Sequence, residues 1–315
     1  MEHDLTYPCQ GAVLHYLPFR VRKRLFCVCR GVRGNEMSQP YHLRQVSINE
    51  SKSGLGSCQI KIDGLDVAFF GMKRNGECET RIAFWDWTLL CETSAAAKST
   101  KVLGLTVEEA AGRWVECVFG RSGTTIGTLT LLHSPTSFLN CTDVRVNRLI
   151  LRTSSTRPNG NSWFSSRHSP HIVEINNLYM LEDEMVKNAG SVHYNSPLYL
   201  NDDTLEHILE LKCTRLTVRG VVRCLRTFCK TIARRGRPIG FRCSSEYSGT
   251  LEWLGDMLKA HRAENDGKPV LTLEMSVGEL NLYTDPENAE NLVVEVSEKG
   301  TAVPMGLTML RTTEK

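Results

Sequence analysis

The sequence predicts a mixed αβ protein, α+β or α/β in class: a short helical module at the amino terminus followed by an irregular αβ array. Three observations carry this. Apolar residues at the start recur every three or four positions, the period of a helix. The period then drops to two, as in a half-buried strand. From the middle of the chain onward, strand-like and helix-like stretches alternate at intervals of roughly 20–40 residues, the range in which stacked repeats occur. With 315 residues, 41% of them hydrophobic and 23% charged, the chain has enough apolar material for a substantial core. A net charge of +3 is too weak to imply a nucleic-acid partner, so the local distribution of charge matters more than its sum.

In the opening stretch, Val13, Leu14 and Leu17 form one apolar stripe, and Leu25, Phe26, Val28, Cys29 and Val32 a second. Pro18 between them predicts a helix boundary, since a proline disfavours helix in the residue before it. Arg20, Arg22, Lys23 and Arg24 open the second helix. So small a module buries too little to stand alone and needs the rest of the chain or a partner. Next, Arg44–Asn49 alternates as a strand, and Gln59–Phe70 reads as strand, Asp63-Gly64, strand. Asp-Gly at that place predicts a two-residue hairpin whose turn needs positive φ twice. Arg81–Leu90 alternates again, and Glu92–Lys101 reads as an exposed connection. Thr106 with Glu109 three residues on predicts a capping box opening a helix, with Val107, Ala110, Ala111, Trp114 and Val118 on one face and Gly120 as the stop. Further strands are expected over Ile126–Leu132, Val146–Arg152, Ile172–Met180, Cys213–Gly220, Pro238–Ser244, Val270–Ser276 and Leu292–Glu298. Helices fill Asp202–Leu211, Val221–Arg235 and Thr250–His261 between them. The boundaries follow: a helical module over 1–43, a β-rich then αβ region over 44–153, a polar loop over 154–171, and an αβ region over 172–315. A curved, leucine-rich-repeat-like array and a single α/β sheet both satisfy this alternation, and no strict repeat motif chooses between them.

The opening stretch resembles an F-box, the helical module that docks onto the Skp-type adaptor of cullin–RING ubiquitin ligases. The matching residues are Tyr7-Pro8, Val13–Leu17, Leu25 and Cys27–Arg33, with Val32 standing where a Trp is often found. Together with Gln39–Ile48, this start is similar to that of the nematode F-box C family. Ile60–Gly76 and Val107–Leu131 are similar to that family's uncharacterised middle domain. The resemblance implies a non-catalytic adaptor with two partners, the Skp-type protein on the helices and an unknown protein substrate on the αβ remainder. It assigns Pro8, Val13, Leu14, Leu17 and Leu25 to the adaptor interface or its immediate support. The alternative is that all five pack against the αβ body. A second alternative is a degenerate member with no ligase partner.

Catalytic patterns are missing from the sequence. Gly120–Gly127 lacks the Lys-Ser/Thr of a phosphate-binding loop and reads as a turn. His168 and His171 have no HExxH context, Glu182-Asp183-Glu184 reads as a solvated turn, and the aromatics of Trp85-Asp86-Trp87 read as packing. No enzyme activity, cofactor or metal is therefore expected. Twelve cysteines without a CxxC pair, lying in apolar patterns such as that around Cys117, read as buried free thiols. No leader pattern or apolar membrane-length run is visible, so an intracellular protein, cytoplasmic or nuclear, without a membrane partner and monomeric before assembly, is expected. One charge feature points to a partner. Between Lys212 and Arg242 every charged residue is basic, and Arg219, Arg223, Arg226, Lys230 and Arg234 recur at three- or four-residue spacing along one predicted helix face. Such a stripe suits an acidic protein surface or, as a less favoured reading, nucleic acid; the plain alternative is a solvated face.

Overall fold

The computed structural model describes residues 7–51, 56–74, 77–86, 98–132, 143–152, 167–195, 202–221, 225–247, 249–265 and 268–300. They form a mixed α/β fold with eight helices and fifteen strands among the described residues. The chain divides into two compact units, residues 1–174 with 183–185, and residues 175–182 with 186–315.

The first unit opens with three short helices, α1 (Tyr7–Tyr16), α2 (Phe19–Val28) and α3 (Arg30–Ser38). Pro18 is the residue before α2, where its lack of an N–H costs nothing. The second apolar stripe is split between two helices, because Cys29 is extended at φ −116° and ends α2. Strands β1 (His42–Ser51), β2 (Ser57–Ile62), β3 (Leu65–Arg74), β4 (Glu77–Asp86) and β5 (Lys98–Leu103) then run as an antiparallel meander. β5 takes the last four residues of the stretch expected as an exposed connection; residues 92–97 lie outside the described residues. Asp63 and Gly64 make the β2–β3 turn at φ 45° and 88°, the mirror-image turn that matches strand twist. The Asp63 carboxylate also accepts the N–H groups of Arg44 and Gln45 at 3.0 and 2.8 Å.

Helix α4 (Val107–Phe119) carries the chain back across β2 and β3. Its capping box is formed in both directions: Glu109 N–H donates to Thr106 Oγ1 at 3.2 Å, and Thr106 N–H to Glu109 Oε2 at 2.9 Å. On its inner face Val115 is buried, where Trp114 was expected; Trp114 is half-buried, edge-on to Phe69. β6 (Thr125–Leu132) then lies parallel to β1 on the side away from β2, and β7 (Arg145–Arg152) parallel to β6. β8 (Ile172–Ile175) is shorter than expected: Leu178–Glu182 forms a 3₁₀ turn and Glu184–Lys187 the single-turn α5. The carboxylate run is not a solvated turn throughout, since Asp183 is buried and accepts Met185 N–H at 2.8 Å.

In the second unit β9 (Ser191–Tyr194), β10 (Arg215–Val221) and β11 (Arg242–Glu246) lie side by side in chain order and parallel. α6 (Asp202–Glu210) and α7 (Leu225–Arg235) connect them. After α8 (Leu251–Leu258), strands β12 (His261–Asn265), β13 (Lys268–Glu274), β14 (Glu279–Thr284) and β15 (Asn291–Ser297) form an antiparallel meander that joins β11 through β15. α8 stops three residues before the expected end, and His261 begins a strand.

One burial pattern recurs through these strands. Leu43, Val46 and Ile48 of β1 and its lead-in are buried, three and then two residues apart. The same spacing holds for Ile126, Leu129 and Leu131, for Val146, Leu149 and Leu151, for Val173 and Ile175 behind buried Pro170, for Ala189, Val192 and Tyr194, and for Cys213, Leu216 and Val218. From Ile126 onward the pattern returns at intervals of about 19–24 residues, the length of one strand-plus-connection unit. The three-residue step needs a break in strand alternation, and the register skips Arg44, Gly127 and Asn147 in three neighbouring strands. Gly127 is required there because a Cβ would stand 2.7 Å from the backbone oxygen of Arg44.

The three helices are held to the sheet by a buried ion cluster. Arg22 is only 1% exposed and Glu36 0%. Arg22 donates to the carbonyl oxygens of Pro40 at 2.7 Å and Gln39 at 3.1 Å, and its guanidinium lies 4.2 Å from the centre of the Tyr41 ring. Arg121, from the turn after α4, lies 4.3 Å from the same ring and donates to Glu36 Oε2 at 3.1 Å. The Tyr41 hydroxyl donates to the other carboxylate oxygen, and Lys23 Nζ lies 3.7 Å from it. Burial by itself raises the Glu36 pKa, but the Tyr41 and Arg121 hydrogen bonds and the nearby cations outweigh it and hold the group below its ordinary range. Burial lowers Arg22 and Lys23 despite the pull of Glu36, and pushes the Tyr41 hydroxyl up.

Glu36→Ala strands Arg22 and Arg121 without their counter-charge and is expected to cost about 3–5 kcal/mol in urea unfolding. Because folding lowers the Glu36 pKa, its contribution is complete above the ordinary value of 4.5 and is lost as pH falls through the folded value. The stability gap between wild type and Glu36→Gln should therefore shrink between neutral pH and about pH 3. A gap that stays constant would show that the ionised carboxylate is not what matters. For the strand break, Gly127→Ala is expected to cost about 1–3 kcal/mol. Gly112→Ala on α4, where nothing lies within 4 Å of the new Cβ, should instead gain up to about 1 kcal/mol.

Candidate functional site

Two surfaces present side chains that the fold does not use. The first is on the amino-terminal helices. Of the five residues expected at an adaptor interface, Val13 is exposed, Leu17 and Leu25 are half-buried, and the side chain of Pro8 lies outside the described residues. Leu14 is 2% exposed and belongs to the core, so it supports the surface from beneath and cannot touch a partner. On these helices the apolar residues most open to solvent are Tyr16 at 86%, Val28 at 80% and Met37 at 58%. Val13 and Tyr16, three residues apart, share a face of α1. Val13 and Val28 belong to the apolar stripes of the sequence, whereas Tyr16 and Met37 belong to neither, and periodicity identifies a face without saying whether the protein itself covers it.

The second surface is a groove of about 760 Å³ between α6 and α7, with Leu205 and Glu206 on one wall and Arg226, Lys230, Arg234 and Arg235 on the other. The expected five-residue basic stripe is shorter than the sequence suggested. Arg219 lies in β10, not on the helix, and Arg223 lies outside the described residues. Arg226, Lys230 and Arg234 remain, exposed and successive along one face of α7 at four-residue spacing. The apolar partner face is formed by buried Leu225, Phe228, Cys229 and Ile232, with Val222 outside the described residues. Arg235 is paired across the groove with Glu206. Among the described residues, none of the other three cations has an ion pair.

Arg237 ties the end of α7 to the end of α6. It follows Gly236, which ends α7 at φ 82°, and reaches back to the carbonyl oxygens of Leu209 at 3.0 Å and Cys213 at 3.1 Å, and to that of Leu211. These are acceptors left over where α6 ends. Its guanidinium lies 4.3 Å from the centre of the Phe241 ring, and burial lowers its pKa below the ordinary arginine value. Nearby, burial also raises the thiol of Cys243 to about 12 and that of Cys229 further, so both stay protonated and unreactive. Cys117, expected to be buried, is exposed on the outer face of α4.

No group of three or more metal-ligating side chains exists among the described residues, and His168 and His171 are not brought into one. Of Gly120–Gly127, residues 120–124 form a turn ahead of β6 and Thr125–Gly127 belong to the strand itself. Of the aromatic trio, Trp85 and Asp86 end β4 and Trp87 lies outside the described residues. Among the described residues no helix is long and apolar enough to cross a membrane. No family model and no curated protein matches the chain. Among solved structures it is similar to one named as a probable ornithine cyclodeaminase from Bordetella pertussis Tohama I, at 12% identity with a TM-score of 0.16. That match covers 70% of this chain and 65% of the other, and a likeness of this order carries no argument.

Arg237→Ala leaves several carbonyl oxygens unsatisfied and is expected to cost about 1–3 kcal/mol in chemical denaturation. Glu206→Ala, which removes only an exposed ion pair, should stay within about 1 kcal/mol of wild type. Equal costs would mean that Arg237 does not hold the end of α6.

Proposed function

We propose that this chain is a non-catalytic substrate-recognition subunit of a cullin-type ubiquitin ligase. In this reading the three amino-terminal helices bind a Skp-type adaptor and a leucine-rich-repeat-like αβ array binds a protein substrate. The observation that carries it is the exposure of Val13, Tyr16, Val28 and Met37 on a module fastened to the β-sheet of its unit through Glu36. Large apolar side chains left in water on short helices are the ordinary signature of a surface that a partner covers. The recurring three-then-two spacing of buried residues supports the array reading, since leucine-rich repeats place their strand residues in that order. The resemblance of Tyr7–Arg33 to an F-box supplies the identity of the partner.

The test is co-elution of the purified protein with a Skp-type adaptor on size exclusion. A Tyr16→Asp, Val28→Asp double variant should lose the complex, with affinity falling at least tenfold, while circular dichroism stays unchanged because both positions face solvent. A Leu14→Asp variant is the wrong probe, as it places a charge in the core. Absence of a complex with folded wild type would reject the adaptor reading and leave the helices a purely structural cap.

A further inference from the structure

We propose that the groove between α6 and α7 binds a peptide segment carrying closely spaced carboxylates, and that this is the substrate element the protein recognises. The proposal rests on the adaptor reading only for the word substrate, since binding in the groove is a property of the second unit alone. Three features define the occupant. Arg226, Lys230 and Arg234 are exposed cations lining one wall, and none of them is engaged in an ion pair among the described residues. Their four-residue spacing sets them about 6 Å apart along about 12 Å of α7. That repeat is matched by acidic residues at every fourth position of a helix or every second position of an extended segment. The opposite wall carries the exposed carboxylate of Glu206, already paired with Arg235, so an acidic occupant is turned toward α7 and away from α6.

The same wall argues against nucleic acid. Glu206 lines it, so a regular phosphate backbone laid along the groove would meet a carboxylate. Three cations would also neutralise only about three phosphates, giving a salt slope near −2.7 and weak binding at physiological ionic strength. A peptide can place its carboxylates against α7 and neutral or basic residues against α6.

The experiment is fluorescence anisotropy of the full chain with two labelled probes: an alanine-based helical peptide with Glu at every fourth position, and an extended peptide alternating Glu and Ser. Glutamine versions of both serve as controls, and single-stranded and duplex oligonucleotides as competitors. At least one Glu peptide should bind, weakening at least tenfold from 50 to 300 mM salt, with its glutamine version at least tenfold weaker throughout. Charge reversal by Arg226→Glu, Lys230→Glu and Arg234→Glu together should lower affinity at least tenfold. Reversal at the exposed Arg113, Arg145 and Lys268 should leave affinity unchanged. Failure of both Glu peptides to bind, or equal binding by the triple variant, overturns the proposal. So does an oligonucleotide that displaces the peptide at a lower concentration than unlabelled peptide does, which would make nucleic acid the occupant. Co-elution of wild type with the adaptor, run in parallel, separates the two hypotheses: its absence rejects the ligase role and leaves the peptide result standing on its own.

Discussion

One buried carboxylate holds the amino-terminal helices in place. Glu36 stands among Arg22, Lys23 and Arg121, with both guanidinium groups close over the Tyr41 ring and the Tyr41 hydroxyl donating to the carboxylate. Buried charges repay their desolvation only when every lone pair and proton is engaged, and most of this cluster is spent on backbone carbonyls at the end of α3 and the approach to β1. The arrangement explains how so weak a helix as α3, with Gly31 and Gly34 in nine residues, is ordered at all. It also explains why Tyr16, Val28 and Met37 can stay in water. The helices are fastened by a polar cluster at one end, so their apolar residues are not all needed for holding them to the sheet.

What could be read from the sequence was what is local. The Asp63-Gly64 turn, the Thr106–Glu109 capping box, the Pro18 boundary and the place of most strands depend on residues a few positions apart, where sequence spacing and geometry are the same thing. The ion cluster was hidden because Glu36 and Arg121 are 85 positions apart, and Arg22 read only as one of four cations opening the second helix. The repeating burial pattern was hidden for a different reason. A period-two reading of β1 finds Val46 and Ile48 but not Leu43, which sits on the same face only because alternation breaks at Arg44. Where the first member of the triad is Pro170, Ala189 or Cys213, even a search for leucines would pass over it. Strands β5, β9, β12 and β14 went unread, β9 because it is four residues long and β12 because its residues are almost all exposed. The interaction surfaces were half legible: the basic run was visible as composition, but its division between β10 and α7 was not.

Arg121 and Arg237 show the same solution used twice. Each follows a glycine that ends a helix, lies about 4.3 Å from the centre of an aromatic ring at the entry to a strand, and donates to carbonyl oxygens left at the end of an earlier helix. In a chain that alternates helix and strand, the junction between one helix end and the next strand recurs, and so does its deficit of hydrogen-bond donors. Arginine suits the position because one planar group can reach several carbonyls and still stack on a ring. The Glu36 cluster is thus an elaboration of a device the second unit uses in simpler form.

That economy bears on the cations of α7. A helix packed against a sheet is constrained on its buried face, here Leu225, Phe228, Cys229 and Ile232, and free on the other. Nothing in folding calls for Arg226, Lys230 and Arg234, and elementary electrostatics disfavours them. Like charges four residues apart repel, by about 0.2–0.5 kcal/mol for each neighbouring pair. Arg234 lies in the last turn, where a cation suits the helix dipole, but Arg226 is the second residue of α7, where it opposes the dipole. Arg235 and Arg237 have clear structural partners in Glu206 and the carbonyls after α6. Arg226, Lys230 and Arg234 have no ion pair among the described residues, and they line a groove together. Because folding assigns them no partner of opposite charge, an acidic ligand is the occupant proposed for that groove.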